Sequence, residues 1–210
     1  MSNKLIISCL GDSITQGVGN NDVSWADYLK ELIPNSEINK LGLPASRIAD
    51  DNCDVLPFVK RYNDIPKNSN LIIIFGGVND FNHAIPLGTI DSVDSTTFYG
   101  ALNIITVNLL KKFPTADFLF ITPMKTFGFK NYPHWNTNNE AGHKLIDYRN
   151  AIINIAEKYS IMVLDLFNES GITPDIKELK DLLIPDGLHP SQEGYLRIAR
   201  KISKTILYRM

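Results

Sequence analysis

The feature that most limits the possible folds is a regular alternation of short apolar runs with longer segments of helical spacing. Each apolar run is almost free of polar residues and stops at Gly, Pro or Asp, which is typical of parallel strands buried on both faces. The runs are residues 5–10, 36–41, 71–75, 118–121 and 161–164, of which 36–41 is the least apolar. Helical spacing occurs between them, in residues 25–33, 55–62, 98–113, 144–159 and 191–207.

The order of these segments predicts the architecture, because strands that alternate with helices imply right-handed βαβ crossovers. In the last helical segment, Tyr195, Ile198 and Ile202 share one stripe, so this helix should cover a sheet. We therefore expect an α/β fold, a three-layer α/β/α sandwich built on a five-stranded parallel sheet.

Composition narrows the class of protein and its partners. With 210 residues, of which 44% are hydrophobic and 21% charged, the chain should form one domain spanning residues 1–210. The formal net charge is -2 and no long basic run occurs, so we expect neither nucleic acid nor an anionic membrane surface as a partner. The sequence gives no indication of the oligomeric state.

The start of the chain and its cysteines bear on the compartment. The first apolar run ends at Gly11 and Asp12, too early for a signal peptide or a membrane span. The two cysteines, Cys9 and Cys53, are expected to be buried free thiols rather than a disulfide. Together these features predict a cytoplasmic protein without stable membrane association.

Polar residues and glycines follow three of the predicted strands, where ligands bind in parallel sheets. Ser13 follows the first strand, and on such a turn its hydroxyl and its own N–H can face the same space. Gly42 follows the second strand and could offer a backbone N–H, while Asn79 follows the third and offers a neutral side-chain N–H. Each also has a plain alternative, since Ser, Gly and Asn are common turn and cap residues.

A candidate base lies near the end of the chain, where Asp186 precedes His189 by three residues. Pro190 favours an extended conformation at His189, and Ser191 can cap the final helix. A serine needs a base to become a nucleophile, and the base works best when a third group fixes its tautomer. Ser13, His189 and Asp186 supply these three groups.

Metal and nucleotide motifs are absent from the sequence, so we expect no metal and no cofactor. No His-Glu-x-x-His or paired-cysteine spacing occurs, and neither the phosphate-binding loop nor the dinucleotide fingerprint is present. Residues 124–138, rich in aromatic and amide side chains, follow the fourth strand and either shape a binding mouth or form a merely structural excursion.

Four ordered blocks make the chain similar to the SGNH hydrolases, the GDSL-type lipases and esterases. The blocks are Gly-Asp-Ser-Ile at 11–14, the glycine loop at 42, Gly-Val-Asn-Asp at 77–80 and Asp-Gly-Leu-His-Pro at 186–190. The resemblance implies the SGNH hydrolase fold, with Ser13 as nucleophile, His189 as general base and then acid, and Asp186 as the group that orients it. It also implies an oxyanion hole made by the N–H groups of Ser13 and Gly42 and the side chain of Asn79.

The chain departs from the family pattern mainly in the second block, usually Asn-x-Gly-x-x-Gly. Lys40 stands where the asparagine is expected, and Ala45 stands where the second glycine would be. In the first block, Ile14 replaces the usual leucine. The second block is therefore the part of the predicted site whose donor geometry follows least directly from the resemblance.

The predicted function is that of a serine esterase acting on a small-molecule ester. We expect it to hydrolyse short-chain acyl esters, above all acetyl esters, of a small polar or carbohydrate substrate through an acyl-enzyme and without a cofactor. The family resemblance also allows lysophospholipase or thioesterase activity. Two alternatives come from other classes: a non-catalytic module that binds a glycan or nucleotide, and a flavodoxin-like electron carrier, which gives no reason for the Asp186 and His189 pair.

Overall fold

The computed structural model describes residues 4–209, in which one sheet of parallel strands forms the centre. The strands are β1 Leu5–Gly11, β2 Ser36–Gly42, β3 Leu71–Phe75, β4 Asp117–Ile121 and β5 Met162–Leu164. They lie in the order β2-β1-β3-β4-β5, and each neighbouring pair is parallel. The predicted five-stranded parallel sheet is confirmed, and the carboxyl ends of its strands meet at one edge.

Helices cover both faces of the sheet. They are α1 Ser13–Gln16, α2 Trp25–Leu32, α3 Phe58–Arg61, α4 Val78–Asn82, α5 Phe98–Lys112, α6 Leu145–Lys158, α7 Leu166–Glu169, α8 Lys177–Leu183 and α9 Gln192–Arg209. The buried side chains of α2 and α9 belong to one apolar cluster, and those of α5 and α6 belong to a second cluster. The three-layer arrangement is therefore the predicted one.

The strands show why the sequence requires a layer on each face. In β3, Ile73 and Phe75 point into the cluster beneath α2 and α9, whereas Ile72 and Ile74 point into the cluster beneath α5 and α6. Successive side chains of a strand face opposite sides, so a strand that is apolar at every position must be covered twice. Burial of these side chains is the main source of the fold's stability.

The helix predicted at residues 55–62 is shorter than expected. Helix α3 begins at Phe58 because Pro57, in an extended conformation, keeps the preceding Leu56 out of the helical region. The N–H of Phe58 donates instead to the carbonyl oxygen of Arg47, at 2.8 Å. The helices α1, α4, α7 and α8 were not expected, because segments this short carry little periodic signal.

Three further expectations concern the cap of α9, the two cysteines and a membrane span. Ser191 Oγ accepts a hydrogen bond from the N–H of Gly194 at 3.2 Å, as expected of a residue that caps α9. Both cysteines are free, but only Cys9 is buried; Cys53 lies in an exposed loop before α3, which corrects the expectation of two buried thiols. Within residues 4–209, no helix is long and apolar enough to cross a membrane.

Gly42 ends β2 where the end of α1 packs against it. A Cβ atom at position 42 would lie 2.3 Å from the backbone nitrogen of Gln16 and 2.7 Å from its Cα. Backbone atoms cannot move aside as a flexible side chain can, so only glycine fits here. This close packing sets the distance between α1 and the edge strand of the sheet.

The Gly42→Ala variant tests this packing. We expect the free energy of unfolding to fall by about 1–3 kcal/mol, because an extra methyl group forces strand and helix apart. Urea denaturation of the variant beside the wild-type protein measures the change. An unchanged midpoint and slope would show that the contact between α1 and β2 is not tight.

Candidate active site

Ser13 stands at the carboxyl edge of the sheet, directly after β1. Asp12 begins α1, and its Oδ1 accepts a hydrogen bond from the N–H of Ile14 at 2.9 Å. This cap turns the chain sharply at the end of the strand and fixes Ser13 as the first residue of the helix. The side chain of Ser13 is largely buried, with 6% of the residue exposed.

His189 reaches Ser13 across the edge of the sheet. Its Nε2 lies 3.1 Å from Ser13 Oγ, and its Nδ1 lies 2.7 Å from Asp186 Oδ2. An ionised carboxylate can only accept hydrogen bonds, so Nδ1 of His189 carries the proton and donates to Asp186. Nε2 is then unprotonated and can accept a hydrogen bond from the serine hydroxyl. The structure thus brings together the three side chains that the sequence singles out.

Asp186 also organises the turn that carries the histidine. Its Oδ1 accepts hydrogen bonds from the N–H of Leu188 at 2.8 Å and from the N–H of His189 at 2.7 Å. Partial burial alone would raise the pKa of Asp186, but the bonds from the His189 ring and these two N–H groups hold its pKa below the usual value. The carboxylate therefore stays ionised and oriented beside the imidazole.

Packing fixes the imidazole from two further sides. Gly19, with φ of 90°, lies so close that a Cβ there would come 3.1 Å from His189 Cβ. On another side the Phe129 ring lies edge-on to the imidazole, with 5.3 Å between the ring centres. These contacts leave His189 with 8% exposure and limit its motion.

Asn79 lies in α4, which follows β3 and begins after Gly77, whose φ is 105°. Its Nδ2 donates to the carbonyl oxygen of Ser46 at 3.1 Å and makes a longer contact of 3.4 Å with Asp12 Oδ2. The side chain therefore does not cap its own helix, which was the alternative interpretation of the sequence. Instead it lies beside the segment that leads into Ser13.

The backbone N–H of Gly42 does not point toward Ser13, as its predicted role as an oxyanion donor requires. The N–H of Leu43 donates to the carbonyl oxygen of Gly11 at 3.1 Å, so the alternating ladder directs the N–H of Gly42 away from β1 and Ser13. The prediction that Gly42 donates to an oxyanion thus stays untested, and its orientation weighs against it. Its close packing on α1 accounts for the glycine.

The turn that follows β2 offers another backbone donor at Ala45. Ala45 has φ of 61°, a left-handed conformation that favours glycine, and it takes the position of the second glycine in the family pattern. Among residues 4–209, its N–H has no hydrogen-bond partner. The next residue, Ser46, is the one whose carbonyl oxygen contacts Asn79, so this turn passes beside the candidate site.

Two buried carboxyl groups next to the site were not assigned from the sequence as functional. Burial raises the pKa of Asp12 to about 6, against the opposing effects of the Ile14 N–H and the charge of His189. Burial raises the pKa of Asp80 to about 7, although Asp80 accepts hydrogen bonds from the N–H groups of Ile48 and Ala49 at 2.9–3.0 Å. Asp80 therefore attaches the loop after β2 to α4.

The aromatic loop of residues 124–138 packs on the turn that carries the histidine. The N–H of Phe127 donates to the carbonyl oxygen of Gly187 at 2.9 Å, and Phe129 contacts His189. This contact agrees with the expectation that the loop shapes the mouth of the site. The sequence did not single out Phe129 within it.

Comparison with known proteins assigns the chain to a family. The model of the GDSL-like lipase/acylhydrolase family matches residues 9–197, a span that contains the candidate residues Ser13, Gly42, Asn79, Asp186 and His189. The chain belongs to this family. It is thus a hydrolase of the GDSL/SGNH type, and no curated protein matches its sequence.

Solved structures show the same fold over nearly the whole chain. A protein from Lactobacillus plantarum is 30% identical, with a TM-score of 0.88 and all of both chains covered. An aryl esterase from M. smegmatis is 18% identical with a TM-score of 0.71, covering 98% of this chain and 100% of the other. An acetyl xylan esterase is 22% identical with a TM-score of 0.70, covering 96% of this chain and 100% of the other.

No group of His, Cys, Asp and Glu side chains in the part of the chain that the structure describes could hold a metal ion. The carboxylates of Asp186 and Asp12, both near the histidine, already accept hydrogen bonds from other groups of the protein. Asp186 accepts bonds from the imidazole and its own turn, and Asp12 caps α1. What the arrangement offers chemically is a hydroxyl, a base that can take its proton and a carboxylate that orients the base.

The buried Asp80 predicts an unusual pH dependence of stability. An unfolded aspartate titrates near about 3.9, whereas the folded pKa is about 7, so the folded state binds the extra proton between these values. Stability contributed by this group is therefore present at low pH and is lost as pH rises through the folded pKa. Relative to Asp80→Asn, which does not titrate, the wild-type free energy of unfolding should fall between pH values of about 4 and about 7 and level off above them.

Urea denaturation of both proteins across this range measures the difference. A difference that stays constant with pH would mean that Asp80 is ionised throughout and would contradict the expectation. Asp12 titrates in both proteins, and its charge also raises the pKa of Asp80, so its effect on Asp80 belongs to the measured difference.

Proposed function

We propose that this chain is a serine esterase that removes a short acyl group, above all acetyl, from a small polar or carbohydrate alcohol. The observation that carries the proposal is the continuous chain of contacts from Ser13 Oγ through His189 to Asp186, at 3.1 Å and 2.7 Å. A binding module needs no such base on a serine hydroxyl, and an electron carrier has no use for it. The proposed reaction needs only these groups, the ester and water.

In the proposed reaction, Ser13 Oγ attacks the carbonyl carbon of the ester while Nε2 of His189 takes the hydroxyl proton. The imidazolium that forms is stabilised by Asp186, and it then gives the proton to the departing alcohol. Water next attacks the acyl-enzyme, with His189 again acting first as base and then as acid. The product acid leaves and Ser13 recovers its proton.

The negative charge that develops on the carbonyl oxygen needs hydrogen-bond donors already in place. We assign this role to the N–H of Ser13 and to Nδ2 of Asn79. One Nδ2 proton is held by the Ser46 carbonyl oxygen at 3.1 Å, and the other, in a longer contact of 3.4 Å with Asp12 Oδ2, would be given to the oxyanion. For a further backbone donor, the sequence predicts Gly42. The N–H of Ala45, which has no hydrogen-bond partner among residues 4–209, is the alternative donor, because the ladder directs the N–H of Gly42 away from β1.

The preference for a small acyl group and a polar alcohol rests on the surroundings of the triad. Phe129 lies against the imidazole, and the loop of residues 124–138, which is rich in amide and aromatic side chains, packs on the turn that carries His189. The acetyl xylan esterase with the same fold acts, by its name, on an acetylated carbohydrate. Lysophospholipase and thioesterase activities and a cytoplasmic location remain predictions from the sequence.

Substitution of the triad tests the assignment. Ser13→Ala and His189→Ala should abolish hydrolysis of p-nitrophenyl acetate, and Asn79→Ala should lower kcat by roughly 10²- to 10³-fold because an oxyanion donor is lost. Asp186→Ala should cost less than His189→Ala, since the imidazole keeps some correct orientation. The measurement is kcat and KM for each purified variant.

A fluorophosphonate probe provides an independent readout, because it labels only an activated serine. It should label the wild-type protein and not Ser13→Ala. Ester hydrolysis at the wild-type rate by Ser13→Ala would refute the nucleophile, and an inert wild-type protein would favour the glycan-binding alternative.

Acyl length provides a separate test of the substrate class. On a panel of p-nitrophenyl esters from acetyl to long-chain acyl, kcat/KM should be highest for acetyl and should fall as the chain lengthens, because the Phe129 ring stands against the imidazole at the proposed site. Acetylated sugars should also be hydrolysed. A preference for long chains would overturn the substrate proposal and leave the catalytic assignment intact.

A further inference from the structure

Arg61 is a buried cation that forms no direct salt bridge with any residue among 4–209, although the charges of Asp64 and Asp12 act on it at longer range. Only 7% of the residue is exposed, and among residues 4–209 no carboxylate contacts its guanidinium directly. Removing a charge from water is costly, so buried arginines are normally paired with an acid. Arg61 instead donates its hydrogen bonds to neutral oxygen atoms. This pattern indicates that Arg61 serves to hold the segments that carry those oxygen atoms in place.

The oxygen atoms that Arg61 binds belong to three separate segments at the site. Nη2 donates to the carbonyl oxygen of Leu41 in β2 at 2.7 Å, while Nη1 donates to Ser46 Oγ at 3.0 Å and to the carbonyl oxygen of Gly11 at 3.3 Å. Gly11 is the last residue of β1, two positions before Ser13. One rigid, planar group therefore joins the end of both strands to the turn after β2.

That turn carries the contacts that orient Asn79. The Ser46 carbonyl oxygen accepts from Asn79 Nδ2 at 3.1 Å, and the preceding residue is Ala45, with its free N–H. From the other side, the carboxylate of Asp80 holds the N–H groups of Ile48 and Ala49. Residues 43–49, the oxyanion loop, are thus held between a buried cation and a buried acid.

We propose that Arg61 is a positioning residue for the oxyanion hole, holding the oxyanion loop against the end of β1 so that Asn79 and Ser13 can donate to the same oxygen atom. The inference rests on the proposed esterase function. Arg61 touches no reacting atom; it acts through Gly11 and Ser46. Misplacement of a donor by about 1 Å can cost about 10²-fold in rate, so the loss of this one side chain should be visible in catalysis.

The test compares Arg61→Met, which keeps the length and apolar packing but donates no hydrogen bond, with Arg61→Lys, which keeps the charge. With p-nitrophenyl acetate, Arg61→Met should lower kcat by about 10- to 100-fold while KM changes by less than about 3-fold, because the loss appears in the transition state. Arg61→Lys should lie between this variant and the wild-type protein, since one ammonium cannot reach three separated acceptors.

Arg149 provides the matched control. It is also a partly buried arginine, bound to Asp165 and Asn150, and it contacts neither the triad nor the oxyanion loop. Arg149→Met should lower the melting temperature, yet leave kcat within about 2-fold of the wild-type value. Equal losses of kcat in Arg61→Met and Arg149→Met would reduce the role of Arg61 to general stability and overturn the inference.

A readout that does not depend on ester hydrolysis separates this inference from the proposed function. In proton–nitrogen NMR spectra, the side-chain amide signals of Asn79, assigned through Asn79→Ala, should shift and exchange faster in Arg61→Met but not in Arg149→Met. Unchanged Asn79 signals, or a wild-type kcat in Arg61→Met, would overturn the inference. If Arg61→Met does not fold, the same criteria apply to Arg61→Lys. An inert wild-type protein would refute the function alone.

Discussion

The hydrogen bond between Ser13 and His189 joins residues 176 positions apart, and the parallel sheet makes it possible. Because every strand runs in the same direction, the segments that follow them gather at one edge. β1 delivers Ser13 to this edge, and α9 covers the sheet with the loop before it directed back at the serine. Apolar strands buried on both faces thus determine where the polar chemistry can occur.

Ionisable side chains that are buried or partly buried hold the loops of the site in position. Asp186 holds its own turn and the imidazole together, while Asp80 and Arg61 hold the oxyanion loop from opposite sides. Asp186 and Asp80 accept from backbone N–H groups that would otherwise be unpaired inside the protein, where an unpaired polar group is costly. Arg61 adds hydrogen bonds to oxygen atoms of Gly11, Leu41 and Ser46. These bonds hold the loop beside Ser13 in place without a substrate, and the proposed stabilisation of an oxyanion requires donors that are placed in this way.

The sequence predicted those features that depend on local pattern. Residues 71–75 are apolar at every position and became β3, and Asp186 with His189 form the contact expected from their spacing. What it missed depends on neighbours distant along the chain. Nothing near Arg61 in the sequence indicates that its guanidinium meets Leu41 and Ser46, and the direction of the Gly42 N–H follows only from its pairing with β1. Asp80 lies inside the Gly-Val-Asn-Asp block at 77–80, but within this block the family resemblance implies a role only for Asn79.

The hydrogen bond from Phe127 to Gly187 has a consequence for redesign of this protein. This bond attaches the aromatic loop of residues 124–138 to the turn that carries the imidazole, and the Phe129 ring contacts that imidazole. Under the proposed function, the loop that selects the substrate and the residue that transfers the proton would depend on the same contacts. Replacing this loop with a foreign segment to accept another ester would also loosen the position of His189. The replacement should therefore keep the backbone N–H at position 127 and an aromatic ring at position 129.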